Sequence, residues 1–304
     1  MLTDLTDTTT ADIRAALFRA QGQMGGPATG VVLNLIIVTD EAGQHDAVRA
    51  ASQASREHPC RVLGVIARDS RSASQLDAEI RSGEGTPGQT VLLRLYGPMS
   101  EHADSVIMPL LVPDTPVVTW WHGQIPAVPA AQPLGVLAQR RVTDASRASE
   151  PIAALAALSA GYQPGDTDFS WTRATPWRSL LAATVDQERN PITGGQVTAE
   201  ENNPTAELLT AWLGSRLAAP FSRETSEGPG ITEVMLRTDA GDVVISRPDG
   251  RVATLARPGQ PDRHVALHRR DIAELLAEEL RRLDPDEVYG EALAGVAGIP
   301  ASSS

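Results

Sequence analysis

The chain has 304 residues, 41% hydrophobic and 21% charged, a balance suited to one large soluble domain or two smaller ones. Its formal net charge is −12, from 26 basic and 38 acidic residues, and every basic residue is Arg. A surface of that sign repels phosphate backbones, so no nucleic-acid binding is expected. The lack of Lys excludes a Walker-type P-loop, a Schiff-base lysine and a Ser–Lys dyad.

One cysteine, Cys60, allows no internal disulfide, zinc ribbon or iron–sulfur cluster. The six His are scattered. His264 and His268 have helical spacing but fall where a strand is predicted, so no metal site is expected. The longest apolar run, Val31–Val38, is interrupted by Asn34 and is far too short for a membrane span. The N-terminus has no basic end followed by an apolar core. A cytoplasmic location with no membrane contact is the expectation.

In chain order, Ile13, Ala16, Leu17 and Ala20 mark one face of a first helix. "GVVLNLIIVT" is a strand of the kind buried on both faces. "QHDAVRAASQASREH" reads as a helix, "CRVLGVIAR" and "QTVLLRLYG" as strands, and "EHADSVIMPLL" as a helix. "TPVVTWW" and "LGVLAQRRVTD" supply two more strands, and "EPIAALAALSA" a helix with Pro just inside its start. Alternating strands and helices predict a Rossmann-like parallel sheet over residues 1–165.

Residues 166–304 change character. A strand is expected near Ile192–Thr198, then an amphipathic helix carrying Leu208, Leu209, Trp212, Leu213 and Leu217. Tight-turn signals "TDAG" and "RPDG" split residues 231–268 into an antiparallel β-meander. "RRDIAELLAEELRRL" is a helix with Ile272, Leu275, Leu276, Leu280 and Leu283 inward. "DPDEVYGEAL" reads as a further helix with Asp284 as its cap, Pro285 at its first position and Glu287 at its third. "GIPASSS" reads as a frayed tail. The fold class is therefore α/β followed by a smaller α+β domain, a meander flanked by helices.

Catalytic signals are sparse. A dinucleotide site of the usual kind needs G-x-G-x-x-G after the first strand. Here that strand is followed by "DEAGQHD", and the glycines of "GQMGGPATG" precede it. No cofactor is expected. Asp40, Arg68, Trp120, Trp121 and His122 fall near the carboxyl ends of predicted strands, where open α/β sheets bind ligands. That leaves an alternative: a sugar-phosphate- or nucleotide-binding enzyme or sensor with a pocket at this edge. Cys60 opens a strand two residues after His58. The simpler reading is a small core residue; the other is a thiol whose pKa His58 lowers.

The stretch "DFSWTRATPWRSLLA" concentrates Trp and Arg in a chain that is 4% aromatic. Thr175 and Pro176 read as the cap and first residue of a helix, with an extended lead-in before them. Trp177 then shares a face with Leu180 and Leu181, which gives it a structural role. Asp168 is structural too, either paired with an Arg or satisfying loop N–H groups. Trp171, Arg173 and Arg178, with Trp120, Trp121 and His122 elsewhere, are the candidate partner-binding residues, because Trp and Arg dominate binding hot spots. One or both arginines are expected to face outward. No nucleophile stands beside a base.

Taken together, "LNLIIVT", "HPCRVLGV", "PDTPVVTWW", "DFSWTRATPWRSLLA", "NPTAELLTAWLGSRL" and "RRDIAELLAEELRRLDPDEVYGEAL" resemble, in that order, the actinobacterial form of the OpcA family of glucose-6-phosphate dehydrogenase assembly proteins. The resemblance covers nearly the whole chain. Its most specific parts are W-T-R-x-T-P-W-R and P-V-V-x-W-W. It implies a non-catalytic allosteric activator or assembly subunit in the oxidative pentose phosphate pathway. Such a subunit binds glucose-6-phosphate dehydrogenase and stabilises its active oligomeric state, which leaves room for a hetero-oligomer. The family's cyanobacterial branch is associated with thiol redox control; with Cys60 alone, an internal disulfide switch does not carry over.

Overall fold

A computed structural model describes residues 2–23, 30–68, 72–81 and 89–296. Most of "GQMGGPATG" and all of "GIPASSS" lie outside the described residues. Contacts divide the chain into two units. One comprises Met1–Thr143 and Ile272–Pro285, the other Asp144–Asp271 and Asp286–Ser304.

The first unit contains β1 (Leu2–Leu5), α1 (Thr10–Gln23), β2 (Leu33–Thr39), α2 (Gln44–Ala54), β3 (Cys60–Ala67), β4 (Gln75–Arg81), β5 (Thr90–Tyr96), α3 (Ala103–Ile107), β6 (Val117–Trp121), α4 (Pro133–Val136) and β7 (Arg140–Thr143). Its described strands stand in the order β1-β4-β5-β3-β2-β6-β7. Every neighbouring pair from β5 to β7 is parallel. β2 lies at the centre, with Ile37 opposite Gly64 on one side and Trp120 on the other. Chain order reverses between β2 and β6, the switch point of a doubly wound sheet.

Local sequence explains these elements. Ile13, Ala16, Leu17 and Ala20 are all buried, on the face of α1 that their spacing predicts. In β2 every residue but Val38 is buried, as expected for a strand covered on both faces. Asn34 interrupts the apolar run because its amide holds a loop. Its Oδ1 accepts from Val112 N at 2.8 Å, and its Nδ2 donates to Val112 O at 3.1 Å and Thr115 Oγ1 at 2.6 Å. A buried amide is tolerated when satisfied in this way.

Two strands go beyond the expected set. β4 runs antiparallel to β5, and β1 runs antiparallel to β4. β4 has the period-2 pattern of a half-buried strand, with Leu76, Ala78 and Ile80 in and the polar residues between them less buried.

The second unit contains α5 (Pro151–Gly161), β8 (Asp166–Asp168), α6 (Phe169–Asp186), β9 (Ile192–Ala199), α7 (Pro204–Leu217), β10 (Phe221–Thr225), β11 (Ile231–Thr238), β12 (Val243–Ser246), β13 (Val252–Ala256) and β14 (Arg263–Ala266). Next along the chain comes α8 (Ile272–Arg281), which belongs to the first unit, and then α9 (Glu287–Val296), which belongs to the second. The sheet order is β10-β9-β11-β12-β13-β14. From β9 to β14 all pairs are antiparallel, which includes the expected meander. β10, unforeseen, pairs parallel with β9. The core brings Trp177 and Leu181 of α6 and Leu209 and Leu213 of α7 against Val197, Val234, Ile245 and Ala253.

Within the first unit, α8 packs on α2, and Glu279 is only 4% exposed. Its carboxylate accepts from Arg140 Nε at 2.8 Å and Nη2 at 2.5 Å, while Arg140 Nη1 donates to Asp284 O at 2.8 Å. Removing one member of such a pair leaves a buried charge exposed to nothing that compensates it. Glu279→Ala is therefore expected to destabilise the protein by about 3–5 kcal/mol, read as a lower urea midpoint at unchanged m-value.

Candidate functional site

The switch point of the first sheet is where this strand order accepts a ligand, and here the chain's own groups fill it. Asp40 follows β2, and its Oδ1 accepts from Gly43 N, the cap residue of α2, at 2.7 Å. The helix end that would otherwise face an anion is thus met by an internal carboxylate. His122, just after β6, sits with its Nδ1 3.4 Å from Thr39 Oγ1 and its ring edge-on to Trp120 at 5.0 Å. A Cβ on Gly43 would stand 2.9 Å from His122 Nδ1 and 3.0 Å from Thr39 Oγ1, so a side chain there would have to displace both.

Beside this cluster, Glu41 bridges Arg68 at 2.9 Å and Arg94 at 3.1 Å. Partial burial pushes the Glu41 carboxyl up, but hydrogen bonds from Gln44 and Arg94 and the charges of Arg94 and Arg68 outweigh it and leave the pKa lowered. The structure brings Asp40, His122 and Trp120 together and draws Arg68 to Glu41 instead. Trp120, Trp121 and His122 are 0%, 4% and 2% exposed.

The Trp/Arg stretch is built differently from its sequence reading. α6 starts at Phe169, not Thr175, with Asp168 as its cap. Asp168 Oδ1 accepts from Ser170 N and Oδ2 from Ala145 N, both at 2.8 Å. Pro176 therefore lies inside the helix. It has no N–H for the carbonyl of Thr172, and Arg270 donates to that carbonyl in its place.

The arginines turn inward rather than outward. Arg173 forks onto Asp144, Nη1 to Oδ1 at 2.6 Å and Nη2 to Oδ2 at 2.8 Å. Burial works against the Arg173 charge, but Asp144 and then Asp168 raise its pKa regardless. Arg178 lies 3.7 Å above the centre of the Trp171 ring and donates to Thr175 Oγ1 at 2.9 Å. Trp171, 1% exposed, donates through Nε1 to Asp286 Oδ2 at 2.8 Å. The other oxygen of Asp286 accepts from Tyr289 N at 3.0 Å. Asp286, not Asp284, thus caps α9, because its carboxylate serves the indole and the helix end at once. Trp177, 1% exposed, has Arg247 4.9 Å from its ring centre.

Cys60 is fully buried and 2.9 Å from Ser55 Oγ. Burial pushes its thiol up to about 11, against a lowering by Ser55. Cys60 is thus the small core residue of the simpler reading, and its thiol is not activated. No group of three or more His, Cys, Asp or Glu that could hold a metal occurs among the described residues.

A family model described as glucose-6-phosphate dehydrogenase subunit N-terminal domain matches residues 51–160, and one described as the subunit's C-terminal domain matches residues 164–293. The chain belongs to the OpcA family of glucose-6-phosphate dehydrogenase assembly proteins. It is a non-catalytic assembly and activator subunit, and its partner is glucose-6-phosphate dehydrogenase. No curated protein sequence matches it. Among solved structures it is similar to an NAD binding oxidoreductase from Klebsiella pneumoniae, with 11% identity and a TM-score of 0.43 over 88% of this chain and 95% of the other.

Two outcomes are expected from this geometry. Arg173→Ala strips the counter-charge from Asp144, which is 1% exposed, and should destabilise the second unit by about 3 kcal/mol, read by urea unfolding. Cys60 should resist thiol reagents at pH 8 until the protein is unfolded. Because its folded pKa is raised, the unfolded thiol ionises first. Stability should fall as pH rises from the ordinary thiol value of 9.0 towards about 11, and Cys60→Ser should remove that component.

Proposed function

We propose that the chain binds the active oligomeric state of glucose-6-phosphate dehydrogenase more tightly than the inactive one, and docks through the outer face of α1. A subunit that prefers one state shifts the population towards it; tenfold activation needs only about 1.4 kcal/mol of differential affinity.

The observation that carries the docking face is Phe18. It is 77% exposed, in a chain with three Phe in all. Ala11, Ala15 and Phe18 lie at i, i+4 and i+7, so α1 has a second apolar stripe besides the buried one. With Pro109, Leu111 and Pro113 they line an open groove carrying Arg14 and Arg61. An exposed aromatic in an apolar groove beside arginine has the composition of a binding hot spot. Met108, 56% exposed, extends the apolar surface along the chain.

In the same proposal, Trp120, Trp121, His122 and Trp171 act as supports, because each is at most 4% exposed. Arg173 and Arg178, engaged by Asp144 and Trp171, hold α6 in shape. Trp177 and Asp168 serve the core and the helix cap. The protein works in the cytoplasm alongside its enzyme; no helix among the described residues is long and apolar enough to cross a membrane.

A kinetic titration of the dehydrogenase tests this. Phe18→Glu should keep the melting temperature of the wild type and weaken activation by about tenfold or more, the scale of one hot-spot aromatic. Wild-type activation by Phe18→Glu would move the docking face elsewhere.

A further inference from the structure

The second unit holds a basic pocket in an otherwise acidic protein. Arg173, Arg247, His268, Arg269 and Arg270 line it, together with Trp177 and the start of α7. Its cavity volume is about 70 Å³, room for several waters or for one phosphate-sized group.

Two of these arginines are already committed. Arg173 is bound to Asp144, and Arg270 to the carbonyl of Thr172. Arg247 and Arg269 are different: among the described residues neither has a carboxylate within ion-pair distance. Arg247 is only 5% exposed. It donates to the carbonyls of Leu267 at 2.9 Å and Ile231 at 3.0 Å, and its buried Nε has no partner. The nearby Asp249 is occupied by its own turn, accepting from Arg251 N at 2.8 Å and Val252 N at 3.1 Å. Burial and then the charge of Arg269 pull the Arg247 pKa down to about 10.

The two guanidinium groups converge on one spot. A Cβ on Gly230 would lie 3.8 Å from Arg269 Cζ and 3.9 Å from Arg247 Nη2. Gly230 has φ +67, so glycine keeps that spot open. Asn203, the cap of α7, and Thr205 complete the wall and bring the positive end of a 14-residue helix to the pocket. A buried cation that lacks a counter-charge is costly to hold. A second cation converging on it and a helix N-terminus beside it all favour the same missing component, an anion.

We propose that this pocket binds the phosphate group of a small phosphomonoester, held between Arg247 and Arg269 at the N-terminus of α7. Guanidinium groups suit a phosphate dianion because they can donate in pairs to its oxygens. The pocket's concave form favours a small molecule over the flat face of a protein partner. The proposal does not depend on the docking face on α1, and phosphate binding is measured without the dehydrogenase.

The test is calorimetric titration of the full chain with inorganic phosphate and glucose 6-phosphate, with glucose as the uncharged control. Both phosphates should bind saturably and raise the melting temperature, and glucose should do neither. Arg269→Glu alters an exposed side chain, so the variant should fold normally and bind at least tenfold more weakly. Arg247→Met should abolish binding; if it fails to fold, Arg269→Glu decides alone. No saturable phosphate binding, equal binding by glucose, or undiminished binding by a folded Arg269→Glu would each overturn the proposal. So would a pocket that ignores phosphates yet loses dehydrogenase binding in Arg269→Glu, which would make it a seat for a carboxylate of the partner.

Discussion

The second unit is organised around carboxylates that each serve two donors, buried at Asp168 and Asp144 and half-buried at Asp286. Asp168, with no exposed surface, holds the first turn of α6 and the backbone at Ala145. Asp144 takes both arms of Arg173, and Asp286 takes the Trp171 indole and the first turn of α9. A buried carboxylate is tolerable only when its lone pairs are satisfied, so each of these residues fixes the position of two segments at once. The clustering of Trp, Arg and Asp in one stretch follows from this. Trp171 and Arg178 occupy one face of α6 and stack, while Trp177 faces the core of the meander sheet.

The same constraint closes the first sheet's switch point. Its strand order leaves a crevice between β2 and β6, and the short loop after β2 supplies Asp40 to the end of α2 and Glu41 to two arginines. Where a nucleotide-binding relative of this topology would place glycines and admit a pyrophosphate, this chain places acids. That agrees with the family's non-catalytic role: at this edge Asp40 is taken up by Gly43 and Glu41 by Arg68 and Arg94. Among the outward residues of this unit, Phe18 on α1 stands out as a large apolar side chain left 77% exposed.

Arg247 is the exception to the pattern of satisfied buried charge. Elsewhere the buried Arg140 meets Glu279, and the half-buried Arg223 meets Glu207 at 2.9 Å. A chain with net charge −12 has ample acid to pair one more arginine. It nevertheless stacks Arg247 against Trp177 and sets Arg269 nearby, with no carboxylate within ion-pair distance of either among the described residues.

Elements whose cause is local could be read directly. The buried face of α1, the doubly buried β2, the meander with its two tight turns and the burial of Trp177 all follow from periodicity and turn chemistry within a few residues. β4 carries a period-2 alternation of its own, while β1 and β10 are short and become strands because a partner strand lies alongside. α6 begins seven residues before Pro176, although Pro usually opens a helix. Here a residue 94 positions after Pro176, Arg270, satisfies the carbonyl that the proline abandons. The amphipathic pattern of α8 announces that it needs a face to cover. It does not say which, and Glu279 meeting Arg140 assigns it to the first unit. Local pattern thus established which segments are helix or strand and which sides are apolar. The destinations of Arg173, Asp286 and Arg247 were decided by tertiary folding, because the groups they bind lie far along the chain and leave no trace in the residues beside them.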